Sequence, residues 1–225
     1  MGETISQVLP DAIGVAISPV PIIAVILMLF SARARVNGPA FLLGWWGGLA
    51  IVSGVFYVVA DQSDVATSSA ASDTVSWGYV VGGALLVFGG LRRWARRPAA
   101  GVEEALPKWM QGIDALAPAM ALVLGLALSG VNPKNFVLSA AAGSSVAQTG
   151  ASTADAIVAL VVFVVLGSIT IWLPVGYALI RKEQARARLD EMKSWLAANN
   201  TAVMAVLLLV FGVVLIAKGL APITS

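Results

Sequence analysis

The sequence contains no cysteine and no histidine, and only 12% of its 225 residues are charged. These absences exclude disulfide bonds, thiolate chemistry, Ser-His-Asp triads and histidine ligation of zinc or haem. A soluble domain would carry about 25% charged residues, whereas here the hydrophobic share is 59% and the mean hydropathy is +0.89. We therefore expect an integral membrane protein without a cofactor. We do not expect an enzyme, because the acids are confined to loops and to the ends of apolar stretches.

Several apolar stretches are long enough to cross a bilayer, which takes about 17–25 residues with few charges. There are six: residues 8–31, 38–60, 75–91, 113–148, 154–180 and 200–220. The first is interrupted by Ser18-Pro19-Val20-Pro21, and the fourth, too long for one straight span, is interrupted between Gly130 and Lys134. Since proline cannot donate to the helical ladder, the sequence predicts an all-α fold of six transmembrane segments, with the first and fourth broken.

Basic residues are concentrated in alternate loops. All of the 14 except Lys134 and Lys218 follow the first, third or fifth stretch. The intervening loops, 61–73 and 148–155, contain neither lysine nor arginine. Because cytoplasmic loops carry the excess of Lys and Arg, we predict a multi-pass protein of the cytoplasmic membrane with both termini outside.

A short motif recurs in the two halves of the chain. Gly14-Val15-Ala16-Ile17-Ser18 is matched by Gly125-Leu126-Ala127-Leu128-Ser129, and each copy precedes a proline within four residues. Because each half holds three spans, the second copy must cross the membrane in the opposite direction. The sequence therefore predicts one transmembrane domain, residues 1–225, built from inverted repeats 1–105 and 106–225, as is typical of secondary transporters.

The two breaks predict a binding site for an anion. Ser18 before Pro19 and Asn132 before Pro133 are good starts for the half-helices that follow, and we expect both amino-terminal ends to point into the membrane interior. Their free N–H groups and positive dipole ends favour an anion, to which Lys134 would add a full charge. Two alternatives stay open: the prolines are simple kinks, or Lys134 snorkels to the outer interface.

Two acids lie near the ends of broken spans. Asp11 and Asp114 precede the first and second breaks at opposite sides of the predicted membrane. Each is either a solvated interfacial carboxylate or a site that couples transport to an ion.

Paired glycines such as Gly47-Gly48 indicate first of all close packing between helices. They are also compatible with a homo-oligomer.

The pairing of Ser18-Pro19-Val20-Pro21 with Asn132-Pro133-Lys134 resembles the LysE exporter superfamily. Members of that group commonly have a Pro-Gly-Pro turn in the first span and an Asn-Pro-Lys turn in the fourth. The layout, with a long basic loop after the third span, is most similar to the actinobacterial GAP family of glycopeptidolipid- or sulfolipid-addressing proteins. The resemblance implies a transport site lined by Pro19, Pro21, Asn132, Pro133 and Lys134. Val20 replaces the usual central glycine.

Three functions follow from these observations and the resemblance. The first is a secondary transporter or flippase that exports an anionic lipid, glycolipid or lipid-linked precursor, with Ser18 and Ser129 beside the prolines, Asn132 and Lys134 at the substrate. The second is export of a small amino acid, whose amine would need an acid near the breaks. The third is a non-transporting scaffold of a lipid export complex. Expected partners are membrane lipids and the substrate, without nucleic acid.

Overall fold

The computed structural model describes residues 1–62, 69–97, 112–113 and 115–224, and its regular structure there is helical. The helices are α1 Gly2–Ala16, α2 Pro19–Phe30, α3 Ala34–Gln62, α4 Ser69–Ala95, α5 Pro118–Gly130, α6 Pro133–Gln148, α7 Thr153–Gly167, α8 Ile169–Ile180 and α9 Lys182–Thr224. The predicted all-α class is therefore confirmed for the described part of the chain.

Within the described residues, three pairs of consecutive helices are bent sharply at short breaks. The bend is 59° between α1 and α2, 67° between α5 and α6, and 61° between α7 and α8. The first two breaks confirm the sequence prediction, since α2 starts at Pro19 and α6 at Pro133. At these positions proline loses no helical hydrogen bond. The third break, at Ser168, was not predicted because Gly167-Ser168-Ile169 contains no proline.

The described residues contain between two and five candidate membrane spans. Among them, α3 and α9 are each long and apolar enough to cross a bilayer, and the number rises to five if every bent pair counts as one span. The predicted third span, 75–91, lies within α4, which is outside that count. The border between the two predicted repeats, at residues 105 and 106, lies outside the described residues. Six spans in an inverted repeat stay a prediction.

Glycines bring the long helices close together. A Cβ atom on Gly125 of α5 would overlap the carbonyl of Phe41, and one on Gly143 of α6 would overlap the carbonyl of Ser53. Small residues permit this close approach of backbones. The order of these contacts shows that the broken helix α5–α6 runs parallel to α3.

Helices α4 and α9 pack in the same way but in opposite directions. Gly83 meets Gly212, Gly90 meets Ala205, and Gly219 meets Ser76. The carboxyl end of α4, with Arg92 and Arg93 in its last turn, therefore lies on the same side of the molecule as the amino-terminal half of α9.

Helix α2 is the most buried element. Every residue from Pro21 to Leu29 except Leu27 is buried, so the buried residues fall on every face of the helix. A helix that is apolar all round belongs in a core, and α2 packs against α3, α8 and α9. The break that precedes α2 is therefore in the interior of the protein.

Candidate functional site

The carboxyl end of α1 is held by a lysine from another helix. Helix α1 ends at Ala16, so its last carbonyls lack N–H donors within the helix. The Nζ of Lys134, on α6, donates to the carbonyl of Gly14 and, at 3.1 Å, to that of Ile17. Only 2% of Lys134 is exposed. A cation at a helix carboxyl terminus is favourable, because the carbonyl dipoles point toward it.

Two hydroxyl groups satisfy the remaining carbonyls of this break. Ser18 Oγ donates to the carbonyl of Val15 at 2.8 Å. Thr170 Oγ1, on α8, donates to the carbonyl of Ala16. The backbone carbonyls that the helix leaves without donors are thus hydrogen-bonded within the protein, as a bilayer requires.

The second break is joined directly to the first. Asn132 caps α6 by accepting a hydrogen bond from the backbone N–H of Lys134 at 3.1 Å. Asn135 donates through Nδ2 to the carbonyl of Leu128 at 3.0 Å, and its Oδ1 accepts from Ser18 Oγ at 3.2 Å. One amide side chain therefore connects the end of α5, the start of α6 and the start of α2.

The two prolines of the first break leave few free donors at the start of α2. The first three residues of a helix have N–H groups without helical partners. Of Pro19, Val20 and Pro21, only Val20 carries an N–H group. The helix end therefore keeps its dipole while exposing a single amide donor.

Most of the predicted site residues lie at this junction. Ser18, Pro19, Pro21 and Lys134 are buried, Asn132 is half-buried, and Pro133 is exposed.

Ser129 lies elsewhere, against α3. Its hydroxyl donates to the carbonyl of Gly125 in its own helix. A Cβ on Gly48 would overlap the Ser129 hydroxyl, so the serine packs on α3. Asp114 lies outside the described residues, and its predicted role is not addressed by the structure.

Three polar residues at or near the junction were missed by the sequence analysis. Asn135 directly follows the Asn-Pro-Lys motif, so its position could have suggested it. Ser139 lies one turn further along α6, fully buried, and its hydroxyl has no partner among the described residues. Thr170 could not be identified from the sequence, because no sequence feature marks the break in the fifth span that brings Thr170 to the junction.

Lys134 is a buried cation held by carbonyl groups. Among the described residues no carboxylate lies within ion-pair distance of its Nζ, and the ion pairs there involve other cations. A lysine at the bilayer centre costs about 2.5–3.5 kcal/mol on insertion scales, so such a residue normally has a partner or a ligand. The carbonyls of α1 are the partner seen here.

Asp11 forms a second charged site on α1. Its Oδ2 accepts from Nζ of Lys218, on α9, at 3.2 Å, while its Oδ1 is buried without a hydrogen bond. Asp11 is fully buried, so it is not a solvated interfacial carboxylate. Lys218 also donates to the carbonyl of Gln7 at 3.2 Å. Sequence reasoning missed this pair, because its members are far apart in the chain.

Two cavities lie at the ends of the half-helices. The first, of about 300 Å³, is called the basic cavity because Arg35 and Arg186 contribute to its wall. It is lined by Leu29, Phe30, Ser31, Ala32, Ala34, Arg35, Ala178, Leu179, Ala185, Arg186 and Leu189.

The second, of about 230 Å³, is called the polar cavity. It is lined by Glu3, Gln7, Tyr79, Ser145, Gln148, Thr149 and Lys218.

The half-helices connect the central junction to these cavities. Helices α2 and α8 begin at the junction and end at the basic cavity, and α6 begins at the junction and ends at the polar cavity. Helix α1 runs from the polar cavity to the junction. The first and fourth broken helices therefore run in opposite directions where α1 meets α6.

Comparison with known proteins identifies the family. Residues 8–221 match the family described as Sap, sulfolipid-1-addressing protein. The chain belongs to this family. The match agrees with the predicted resemblance to the sulfolipid-addressing group. No curated protein and no solved structure matches the chain.

The Sap family match includes both breaks, Thr170 and the Asp11–Lys218 pair, all of which lie between residues 8 and 221. Among the described residues, no group of three or more His, Cys, Asp or Glu side chains could hold a metal ion. The chemistry available at the junction is therefore hydrogen bonding and charge from Lys134, amides and hydroxyls. That chemistry suits recognition of an anion.

Proposed function

We propose that this Sap-family chain is a secondary transporter of the flippase type. It exports an anionic lipid, a glycolipid or a lipid-linked precursor across the cytoplasmic membrane by alternating access. The family description names a sulfolipid, and a lipid of that general class is the cargo proposed here. The proposal includes an orientation with the basic cavity on the cytoplasmic side.

One observation carries the proposal. Lys134 lies buried where two broken helices meet. Its charge is balanced by the carbonyls of Gly14 and Ile17, and no carboxylate of the described part of the chain is within ion-pair distance. Neutral carbonyl dipoles balance a buried cation less completely than a carboxylate does. An anionic group that reached the junction would therefore compete well for the lysine.

Release of the lysine gives alternating access a physical basis. When an anion takes the Lys134 ammonium, the carbonyls of Gly14 and Ile17 lose their donor, and the end of α1 is free to move relative to α6. The opposite directions of these helices, and the cavities at opposite ends of the half-helices, support the inverted-repeat transport scheme. Binding at the junction would thus be coupled to a change in which cavity opens.

The proposal is tested by lipid movement in proteoliposomes. The probe is phosphatidylglycerol with a fluorescent acyl chain, and dithionite quenching reports its transfer between leaflets. The wild-type protein should move this lipid, and Lys134→Met, which preserves length but removes charge, should slow it at least tenfold. Lys134→Arg should retain part of the activity, because it keeps the charge. Arg188→Gln, at an exposed position on α9 outside the basic cavity, is the control for loss of one positive charge.

Other results would contradict the proposal in recognisable ways. If the wild type moves no anionic lipid but releases preloaded amino acids, the cargo is an amino acid. If neither substrate moves and the Lys134→Met protein still supports lipid export in a host lacking its own copy, the chain is a scaffold. Equal rates for wild type and Lys134→Met would remove the lysine from the mechanism.

A further inference from the structure

We propose that the basic cavity is the site at which the head group of an anionic lipid is loaded. This inference rests on the proposed function, because it names where the cargo of that transporter first binds. The site is separate from the junction: none of its lining residues belongs to either proline break. Its occupant is a lipid whose head group carries phosphate, sulfate or carboxylate.

The charge of the cavity favours an anion. Arg35 and Arg186 contribute to its wall, and the Arg186 guanidinium lies 5.6 Å from the ring centre of Phe30. Lys193 Nζ lies 5.5 Å from the same ring. Among the side chains that the structure describes, Asp190 pairs with Lys193, and no carboxylate lies within ion-pair distance of either arginine. The two guanidinium groups are therefore available, and guanidinium binds phosphate or carboxylate with two parallel hydrogen bonds.

The apolar part of the wall favours a lipid over a free anion. Leu29, Leu179 and Leu189 line the same cavity as the arginines. At the adjacent end of α8, Leu179 is 40% exposed and Ile180 is 78% exposed. Acyl chains lying against these side chains would keep their apolar environment while the head group reached the arginines. Basic pockets between the cytoplasmic ends of transmembrane helices bind anionic head groups in this way.

The position of the cavity links it to the junction. Helices α2 and α8 each have 12 residues, or about 18 Å at 1.5 Å per residue, and each runs from the junction to this cavity. The polar cavity, at the other end, contains Glu3 beside Lys218 and has no excess of positive charge in its lining. An anionic head group is therefore favoured at the basic cavity over the polar one, which is the order that export requires.

The test measures lipid binding by native mass spectrometry of the purified full-length protein in detergent. The probes are phosphatidylglycerol, phosphatidylcholine of the same chains, and glycerol phosphate as the free anion. Replacement of both cavity arginines, Arg35→Gln with Arg186→Gln, should weaken phosphatidylglycerol binding at least tenfold. The matched control is Arg92→Gln with Arg188→Gln, which removes the same charge from exposed positions outside the cavity lining and should change binding less than twofold.

Three results would overturn the inference. Equal weakening by the two double variants would show that surface charge alone holds the lipid. Binding of phosphatidylcholine as tight as that of phosphatidylglycerol would show that the protein does not recognise the charge of the head group. Binding of glycerol phosphate as tight as that of the lipid would make the cavity a site for small anions.

The same variants separate this inference from the proposed function. Lys134→Met should retain phosphatidylglycerol binding at the basic cavity but lose transport. If the cavity variant binds lipid weakly yet transports it at the wild-type rate, the loading site is wrong and the transporter stands. If the wild type binds lipid through the two arginines but moves none, the transporter is wrong and the cavity is a lipid site without a loading role.

Discussion

At the residue scale, the central break is stable only because each polar backbone group at the end of α1 has a partner. No water is available in a bilayer core, so an unpaired carbonyl or N–H group costs several kcal/mol. The donors come from Ser18 beside the break, Lys134 of α6 and Thr170 of α8. The side chains that suit an anion site are therefore also the ones that hold the break together.

Thr170 provides a test of that structural role. Thr170→Val keeps the shape of the side chain but removes one of two donors to the Ala16 carbonyl, the other being the backbone N–H of Ser18. The folded protein should therefore lose stability. Hydrogen bonds between transmembrane helices are worth about 0.6 kcal/mol on average and at most about 1.7 kcal/mol. Unfolding of the purified protein in mixed micelles should show a loss in that range. Thr170→Ser should behave as wild type, and an unchanged Thr170→Val protein would show that the bond contributes nothing.

The Asp11–Lys218 pair should show an asymmetric response to substitution. Asp11 is fully buried, whereas the Lys218 side chain is 22% exposed. Lys218→Met leaves a buried carboxylate without its cation, and Asp11→Asn leaves a lysine that can reach water. Breaking a fully buried pair costs about 3–5 kcal/mol, so we expect a somewhat smaller loss for Lys218→Met and less still for Asp11→Asn. The double variant should be more stable than Lys218→Met alone, and purely additive losses would contradict the coupling.

The residues of the site could be predicted from the sequence only where they share a motif. Ser18, Pro19, Pro21 and Lys134 were identified by their local pattern, and the structure brings them to one junction. The position of Lys134 along its span is compatible with either a buried or an interfacial side chain, because helix length alone does not determine which neighbours surround it. Asp11 was identified from the sequence, but its pairing with Lys218 could not be found, since nothing in a local sequence pattern marks a contact between the two ends of the chain.

At the element scale, prolines explain some of the helix breaks and not others. Helix α1 continues through Pro10, α3 through Pro39 and α8 through Pro174. One proline removes one donor, and a membrane helix tolerates that loss when neighbouring groups compensate. The first break has two prolines within three residues, and the second has an asparagine cap before its proline. The break at Ser168 has neither. There the Ser168 hydroxyl donates to the carbonyl of Val164, a type of bond that often bends helices, and Gly167 lies close to Val15 of α1.

Adjacent glycines in α3 give a matched prediction about helix packing. A Cβ on Gly48 would overlap Ser129 Oγ and lies close to the Leu126 carbonyl, whereas a Cβ on Gly47 meets nothing within 4 Å. Gly48→Ala should therefore separate α3 from α5 and lower the unfolding midpoint. Gly47→Ala should be neutral or stabilising by up to about 1 kcal/mol, the difference in helix propensity. Thermal unfolding in detergent compares the two, and equal effects would contradict the close contact.

At the scale of the whole molecule, the two ends of the protein differ in charge. Arg35, Arg186 and Lys193 lie around the basic cavity, and the arginines that end α4 lie on the same side because α4 and α9 are antiparallel. The polar cavity, lined by α1, α4, α6 and α9, lies at the opposite end. A field of this kind orients the protein in a membrane, since positive loops stay in the cytoplasm. The same charges would attract an anionic ligand to the end of the protein that holds the basic cavity.

The absence of cysteine makes that orientation directly measurable. Any introduced cysteine is the single thiol in the chain, so Arg188→Cys and Ala154→Cys each report one exposed position. We expect a membrane-impermeant maleimide to label Ala154→Cys on intact cells, and to label Arg188→Cys only after the membrane is permeabilised. The reverse pattern would place the basic cavity outside. The anionic lipid would then be loaded from the outer leaflet, and the chain would import its cargo instead of exporting it.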